Sequence, residues 1–420
     1  MSGLNAIIAG GIYLLLGRLL VTRGRGVWQT MPFALLNLLG FYGFFIFGEY
    51  KRFAAAFPIY VALVIIQYLM LRGCSGRKGW WPWLAFFTPL LILIFCRYVP
   101  VTVLTSVNVF LRQVLGARFA LGDFSFVSNT FASLFVGLSY LTFRSSYLVL
   151  EVRNGLVKMP NIWEYLGFCF FLPTMAVGPI NRYANHQRAF SGTPPAIPVG
   201  RALLRIGVGY VKFKLLGTFF CQLGYYNLLL DDHPHHWPDL PVAMVFYYLY
   251  LYCDFSGFCD MAIGAAGLMG IPVAENFDNP FAARNVKDFW NRWHITLSVW
   301  MRDVVFSPLS KFLVGKMGMK LANHAIALTI LIVFLLVGIW HGVGWHFAAY
   351  GAAHALGVVT NHYYTIFLKN KLGRDKFKAY NENPWIRAVA VTLTFGYCAA
   401  SLFLFANTFP EMKQIFAALR

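Results

Sequence analysis

Charge is what this chain has least of. Only 12% of its 420 residues are Asp, Glu, Lys or Arg, while 59% are hydrophobic; a soluble domain carries roughly 25% charged residues. With a mean hydropathy of +0.60, that scarcity excludes a water-soluble fold and implies an integral membrane protein. Alternation of apolar and polar residues is missing as well. The apolar runs are continuous, which excludes a membrane barrel and leaves helices. There is no basic leader followed by a small-residue cleavage site, so Asn5 to Leu20 reads as a retained first helix. Without a linker, a repeat or a soluble segment, the expectation is one membrane domain over residues 1–420.

Reactive and metal-ligating patterns are equally sparse. The seven cysteines are scattered through mostly apolar segments, and Cys253 and Cys259 are too far apart for a Cys-x-x-Cys zinc site. They read as small hydrophobes. His233, His235 and His236, beside Pro234 and Pro238, read as a solvated loop rather than a metal site. No Gly-x-Ser-x-Gly elbow is present, so a covalent acyl-enzyme has no evident nucleophile.

What is there is a succession of apolar windows. A helix needs about 20 such residues to cross a bilayer, and about eleven windows qualify. The chain is therefore expected to be all-α and polytopic. After the first helix the expected spans are Met31–Gly48, Phe53–Leu71, Trp83–Cys96, Val99–Leu115, Phe126–Phe143 and Ile162–Val177. Arg201–Leu230, Val242–Cys253, Ala325–Ile339, Trp345–Val359 and Trp385–Phe405 follow. Arg144, Glu151, Arg153 and Lys158 mark an interfacial polar segment; the stretch from Gly178 to Arg201, with His186, reads as a loop, and Lys369–Lys378 as a basic loop.

Lys and Arg number 35 against 16 Asp and Glu, a formal charge of +19. In a soluble protein that would suggest nucleic acid. In a membrane protein it marks cytosolic loops and contact with anionic lipid head groups, so no nucleic-acid partner is expected. A basic cytosolic face also suits an acidic partner or a phosphorylated donor.

One stretch breaks the apolar pattern. Between Cys253 and Leu309 stand Asp254, Asp260, Asp288, Arg292, His294 and Arg302. Ionisable groups near a membrane interior are costly and hence functional candidates. Val286 to Val299 has helical character, which places Asp288 and Arg292 on one face as a pair and His294 above Ser298. Trp290, Trp293 and Trp300 add aromatic bulk. A second candidate, His341, ends an apolar run between Trp340 and Gly342. His346 and His354 read as packing or interface residues, His324 and His362 as loop residues. A histidine in low dielectric stays neutral near pH 7 and can deprotonate a hydroxyl. Two other classes fit the same residues: an ion-paired, snorkelling interfacial helix, and a membrane transporter or flippase of an envelope precursor.

The strings Tyr252-Cys253-Asp254-Phe255-Ser256-Gly257, Glu275-Asn276-Phe277, Asp288-Phe289-Trp290-Asn291-Arg292-Trp293-His294 and Trp340-His341-Gly342 resemble the membrane-bound O-acyltransferase family. Thr142-Phe143-Arg144-Ser145 and Ala176-Val177-Gly178-Pro179 extend the resemblance, which runs from residue 140 to residue 360. The branch it resembles modifies bacterial envelope polymers. It includes the D-alanyl transferases of teichoic acid and the alginate and peptidoglycan O-acetyltransferases. The resemblance implies an O-acyltransferase, multi-pass in the bacterial cytoplasmic membrane, with short interfacial or re-entrant helices around a central tunnel. Its acyl group, D-alanyl or acetyl, would come from a cytosolic thioester, either a phosphopantetheine carrier protein or acyl-CoA, with no bound cofactor. The acceptor would be a hydroxyl of an envelope polymer or an extracellular acyltransferase partner. By the same resemblance His341 would be the general base and His294 would position the donor. Asn291, Trp293 and Asp288, with Ser298 and Arg292, would shape the donor's mouth. The wording around Asn285–His294 and Leu172-Pro173-Thr174 leans toward the D-alanyl transferases.

Overall fold

The computed structural model describes residues 3–23, 26–47, 57–76, 79–100, isolated positions from 102 to 113, 135–191, 198–230 and 233–420. Among these residues every extended element is a helix, as expected of an all-α chain, and only two isolated β-bridges occur. Nearly half of the predicted span Val99–Leu115 and the first half of Phe126–Phe143 lie outside the described residues. The chain forms two compact units, Met1–Ile206 with Met261–Ala274, and Gly207–Asp260 with Glu275–Arg420.

The first unit contains α1 (Gly3–Arg23), α2 (Val27–Phe47), α3 (Phe57–Arg72), α4 (Trp81–Tyr98), α5 (Leu138–Arg153), α6 (Ile162–Cys169), α7 (Tyr183–Phe190) and the start of α8 (Val199–Tyr210). Val21, Phe33, Phe171, Ala189, Ala266, Met269 and Ile271 form one buried core. The predicted span Ile162–Val177 is instead an eight-residue helix. Asn161 and Glu164 cap its start reciprocally, Asn161 Oδ1 accepting from the Glu164 N–H at 3.0 Å and Glu164 Oε2 from the Asn161 N–H at 2.9 Å. Pro173, which lacks an N–H, falls just beyond its end.

The end of α6 also explains Arg144. Expected at the interface, it is 2% exposed. Its guanidinium donates to the carbonyls of Phe168 and Cys169, both at 3.3 Å, and to Thr174 Oγ1 at 3.1 Å. Carbonyls at a helix C-terminus have no partner within the helix, so the arginine completes α6 from inside the core. His186 corrects a second expectation. It lies on α7, not in a loop, and is packed among Phe33, Phe168, Tyr183 and Phe190.

The second unit holds α9 (Asp239–Leu268) through Asp260, then α10 (Val286–Arg292), α11 (Ile295–Met301), α12 (Ser307–Met317), α13 (Ala322–His341), α14 (Trp345–Glu382), α15 (Pro384–Ala406) and α16 (Phe409–Ala418). In the region expected as one apolar run from Arg201, a π-helical turn, Val211–Leu216, follows α8, and the helix stops before Gly224. There Lys212 Nζ meets Asp260 Oδ2 at 2.7 Å, so the lysine embedded in the apolar run has its counter-charge on α9.

Helices α13 and α14 form an antiparallel pair, fixed at one end where Gly338 abuts Gly351 and at the other by Tyr363 OH and His324 Nδ1 at 2.7 Å. His324 and His362 are thus helical, not loop residues. Lys369–Lys378 is helical too, interrupted only at Gly373, whose φ of 70° is available to glycine at little cost. Helix α16 was not foreseen, because ten residues are too short to register as a span. Its Met412 and Ile415 pack on Tyr225, Leu240 and Phe403.

Among the described residues, four helices are long and apolar enough to cross a membrane: Trp81–Tyr98, Asp239–Leu268, Met319–His341 and Pro384–Ala406. They keep large apolar side chains outside. Leu328, Leu331, Leu336 and Ile339 on α13 are 40–44% exposed, and Leu393 on α15 is 68% exposed. Such faces are unfavourable in water and suited to lipid. This is a membrane protein.

Candidate functional site

One face of α9 builds the floor. Tyr248, Tyr252, Phe255 and Cys259 recur at spacings of three and four, so all four point the same way. Tyr248 packs on Trp293 with ring centroids 5.9 Å apart, Tyr252 on Phe281 at 4.6 Å, and Phe255 on His294 at 4.8 Å. Cys259 Sγ accepts from Asn276 Nδ2 at 3.3 Å.

Against this floor the loop after Glu275 pairs with the junction of α10 and α11. The Asp278 N–H donates to the Arg292 carbonyl at 2.9 Å, and the Ile295 N–H to the Asn276 carbonyl at 3.0 Å. That pairing breaks the helix expected over Val286–Val299. Trp293 turns extended and His294 enters the left-handed region at φ 47°. Asn279 and His294 are the only non-glycine residues with positive φ among the described residues. Backbone of this kind costs of order 1–3 kcal/mol and persists only where its surroundings fix it. Here Asn276, wholly buried, does so: its Oδ1 lies 3.2 Å from His294 Nδ1, 3.2 Å from Thr296 N and 2.8 Å from Thr296 Oγ1.

The expected ion pair is present, with Arg292 Nε donating to Asp288 Oδ1 at 2.9 Å. Asp288 Oδ2 accepts from the Arg284 N–H at 3.0 Å, and Asn285 Oδ1 from the Asp288 N–H at 2.8 Å. Both oxygens of Asp288 therefore serve the N-terminus and flank of α10. Trp290 is anchored on the other side. Its indole donates to His354 Nδ1 at 3.1 Å, which leaves the ring proton on Nε2, facing Ser401 Oγ at 2.9 Å. That places His354 in packing, as expected.

His294 is 3% exposed and lies outside the four membrane-crossing helices. Burial pushes its imidazole down to about 3, and nearby His341 adds to the shift. His341 closes α13, half-buried against Phe405 at 5.0 Å and Tyr350 at 6.0 Å. The Trp340 ring touches both histidines, at 6.3 Å from His294 and 4.6 Å from His341. Two histidines 47 positions apart in the numbering thus share one aromatic neighbour.

A cavity of about 660 Å³ runs beside them among α10, α11, α13 and α14. Of the seven residues to which the family resemblance gives site roles, Asn291 and Ser298 line it; Asp288, Arg292, Trp293, His294 and His341 do not, while Arg302 and Trp290, noted for charge and bulk, do. Its α13 wall extends from Asn323 to Val337, about 21 Å at 1.5 Å per residue, and ends one helical turn before His341. Lys287, Arg302 and Lys369 are its cations; Ile326, Ile330, Val333 and Val337 give it apolar walls. Ser298 Oγ and His362 Nε2 are buried without a hydrogen-bond partner among the described residues. The α13 and α14 wall was invisible in the sequence, where it reads as ordinary span. Asn276 was visible only within the string Glu275-Asn276-Phe277, with no role attached to it.

The profile described as the membrane-bound O-acyltransferase family matches residues 87–403. A teichoic acid D-alanyltransferase of Streptococcus thermophilus is 33% identical over 291 residues, 66% of this chain and 69% of the relative. The Bacillus subtilis protein of that name is 32% identical, with 65% and 69% covered. A peptidoglycan O-acetyltransferase of Helicobacter pylori is 26% identical over 52% of this chain and 41% of its own length. The chain belongs to the membrane-bound O-acyltransferase family and is an acyltransferase. That decides between acyl transfer and the transporter alternative.

Proposed function

We propose that this protein transfers a D-alanyl group from a cytosolic carrier-protein thioester to a hydroxyl of a cell-envelope polymer, with His341 as general base. One observation carries the reading. The cavity begins among cations and ends one turn from His341, beside the ring that His341 and His294 share. Lys287, Arg302 and Lys369 suit the phosphate of a phosphopantetheine arm, and the apolar walls suit its extended chain. The 31–33% identity to proteins named teichoic acid D-alanyltransferases supports D-alanyl as the acyl group. The basic composition suits an acidic carrier protein, the donor that goes with D-alanyl in this reading.

In this reading neutral His341 takes the proton of the acceptor hydroxyl as its oxygen attacks the thioester carbonyl. The tetrahedral intermediate collapses, the carbon–sulfur bond breaks, and the thiolate leaves with the proton from the imidazolium. His294 holds the donor, and Asn291 and Ser298 line its path. Donor and acceptor approach from opposite sides, which requires the cavity to open into a tunnel across one multi-pass domain of about eleven spans in the bacterial cytoplasmic membrane. The acceptor is the polymer itself or an extracellular acyltransferase partner that relays the group. Mass analysis of envelope polymers from cells with and without the gene tests this. Loss of ester-linked D-alanine is the expected result. Loss of acetyl esters with D-alanine intact would reassign the acyl group, and an unchanged polymer would overturn the reading.

A further inference from the structure

We propose that Asn276 is a positioning residue that sets the tautomer of His294 and so fixes which hydrogen-bonding role that ring plays. The backbone N–H of Thr296 can only donate, and it points at the Asn276 side chain from 3.2 Å. That side of the amide is therefore its oxygen, and Thr296 Oγ1 at 2.8 Å donates to the same atom. The amide nitrogen faces the other way, donating to Cys259 Sγ. An oxygen with no proton of its own can only accept from His294 Nδ1, which lies 3.2 Å away. The ring proton of His294 is on Nδ1.

The consequence falls on the opposite nitrogen. Nε2 then carries a lone pair, and it is buried with no hydrogen-bond partner among the described residues. A buried acceptor left unpaired bears its desolvation cost uncompensated, which is characteristic of a group awaiting a ligand. Phe255 stands across the ring at 4.8 Å with no polar atom, and the Trp340 ring at 6.3 Å makes no hydrogen bond to Nε2. His294 is thus built to receive an N–H or O–H. It is not built to donate to an oxyanion. On the acyl-transfer reading above, on which this last step rests, the group received belongs to the donor: an amide N–H of its arm, or the ammonium of a D-alanyl group. Asn276 is reached only through tertiary pairing with residues 18 and 20 positions away, which is why a sequence motif at His294 does not reveal it.

The test is spectroscopic and needs no turnover. Nitrogen-15 spectra of the full-length protein in detergent, ring-labelled at histidine and assigned with His294→Gln, report which nitrogen is protonated. The inference expects a protonated Nδ1 and an unprotonated Nε2 at pH 7 in the wild type. In Asn276→Ala, checked for an unchanged elution profile, the proton moves to Nε2 or exchanges between the two, while Thr296→Val leaves it on Nδ1. A wild-type ring protonated at Nε2, or an Asn276→Ala spectrum identical to wild type, would overturn it. If Asn276→Ala does not fold, the wild-type spectrum alone decides. Should the tautomer hold while the purified protein transfers no acyl group, the acyl-transfer reading fails and this inference stands.

Discussion

Gly338 of α13 and Gly351 of α14 meet backbone to backbone: a Cβ on Gly338 would stand 3.1 Å from the Gly351 Cα and overlap the Phe347 carbonyl. His341 lies one turn further along α13. Any side chain at Gly338 pries the pair apart just where the candidate base is seated. Gly338→Val is expected to destabilise the protein by about 1–3 kcal/mol and to cut acyl transfer more than stability alone explains. Thermal unfolding in detergent together with a transfer assay checks it. Gly315→Ala, where a Cβ meets nothing within 4 Å, is the control.

The cavity makes a separate prediction. Val333 is buried in its wall, midway along α13. Val333→Trp fills that path and is expected to lower transfer from a carrier thioester about 100-fold, the scale of a misplaced reactant, with unfolding temperature nearly unchanged. Full activity would place the donor's route elsewhere.

Protonation gives a third. An ordinary histidine titrates near 6.5, whereas His294 in the fold is held near 3, and His186 likewise. Between those values the unfolded chain binds more protons than the folded one, so stability rises with pH there. The contribution is complete above pH 6.5 and is lost as pH falls toward 3, by about 1.4 kcal/mol per unit for each histidine. Unfolding temperature measured across that range should fall less steeply in His294→Gln than in wild type. Parallel curves would show that His294 is not buried neutral.

Asp288 and Arg292 were singled out for the donor's mouth, and the structure pairs them along α10, with Arg292 also donating to the Asp278 carbonyl at 3.3 Å. Their side chains are 25% and 30% exposed, and pairs of this kind are worth about 0–1 kcal/mol. Arg292→Ala should change stability by no more than that. Asp288→Ala, which also strips an acceptor from the Arg284 N–H, should cost more. A double-mutant cycle by thermal unfolding separates the two; equal losses would remove the capping role.

The Asp288–Arg292 pair was readable in advance because helical spacing alone brings residues four apart together. The helix break at His294 was not, since the helical pattern of 286–299 runs through it. Its cause is pairing with 276–278, a contact no local pattern encodes. Arg144 misled for a related reason. Charge in an apolar stretch suggests an interface, and only the free carbonyls at the end of α6 show why it is buried. The four membrane-crossing helices followed from composition. The adjacency of His294 and His341 rested on resemblance to a family, and the cavity walls on α13 and α14 carry no signal that distinguishes them from lipid-facing residues.

The central claim is that His341 removes the acceptor's proton. Transfer by purified His341→Gln in proteoliposomes, supplied with a labelled D-alanyl carrier protein inside and polymer outside, tests it most directly. The account predicts a protein that folds, still binds the carrier, and loses transfer by about 100-fold or more. Transfer at the wild-type rate would contradict it.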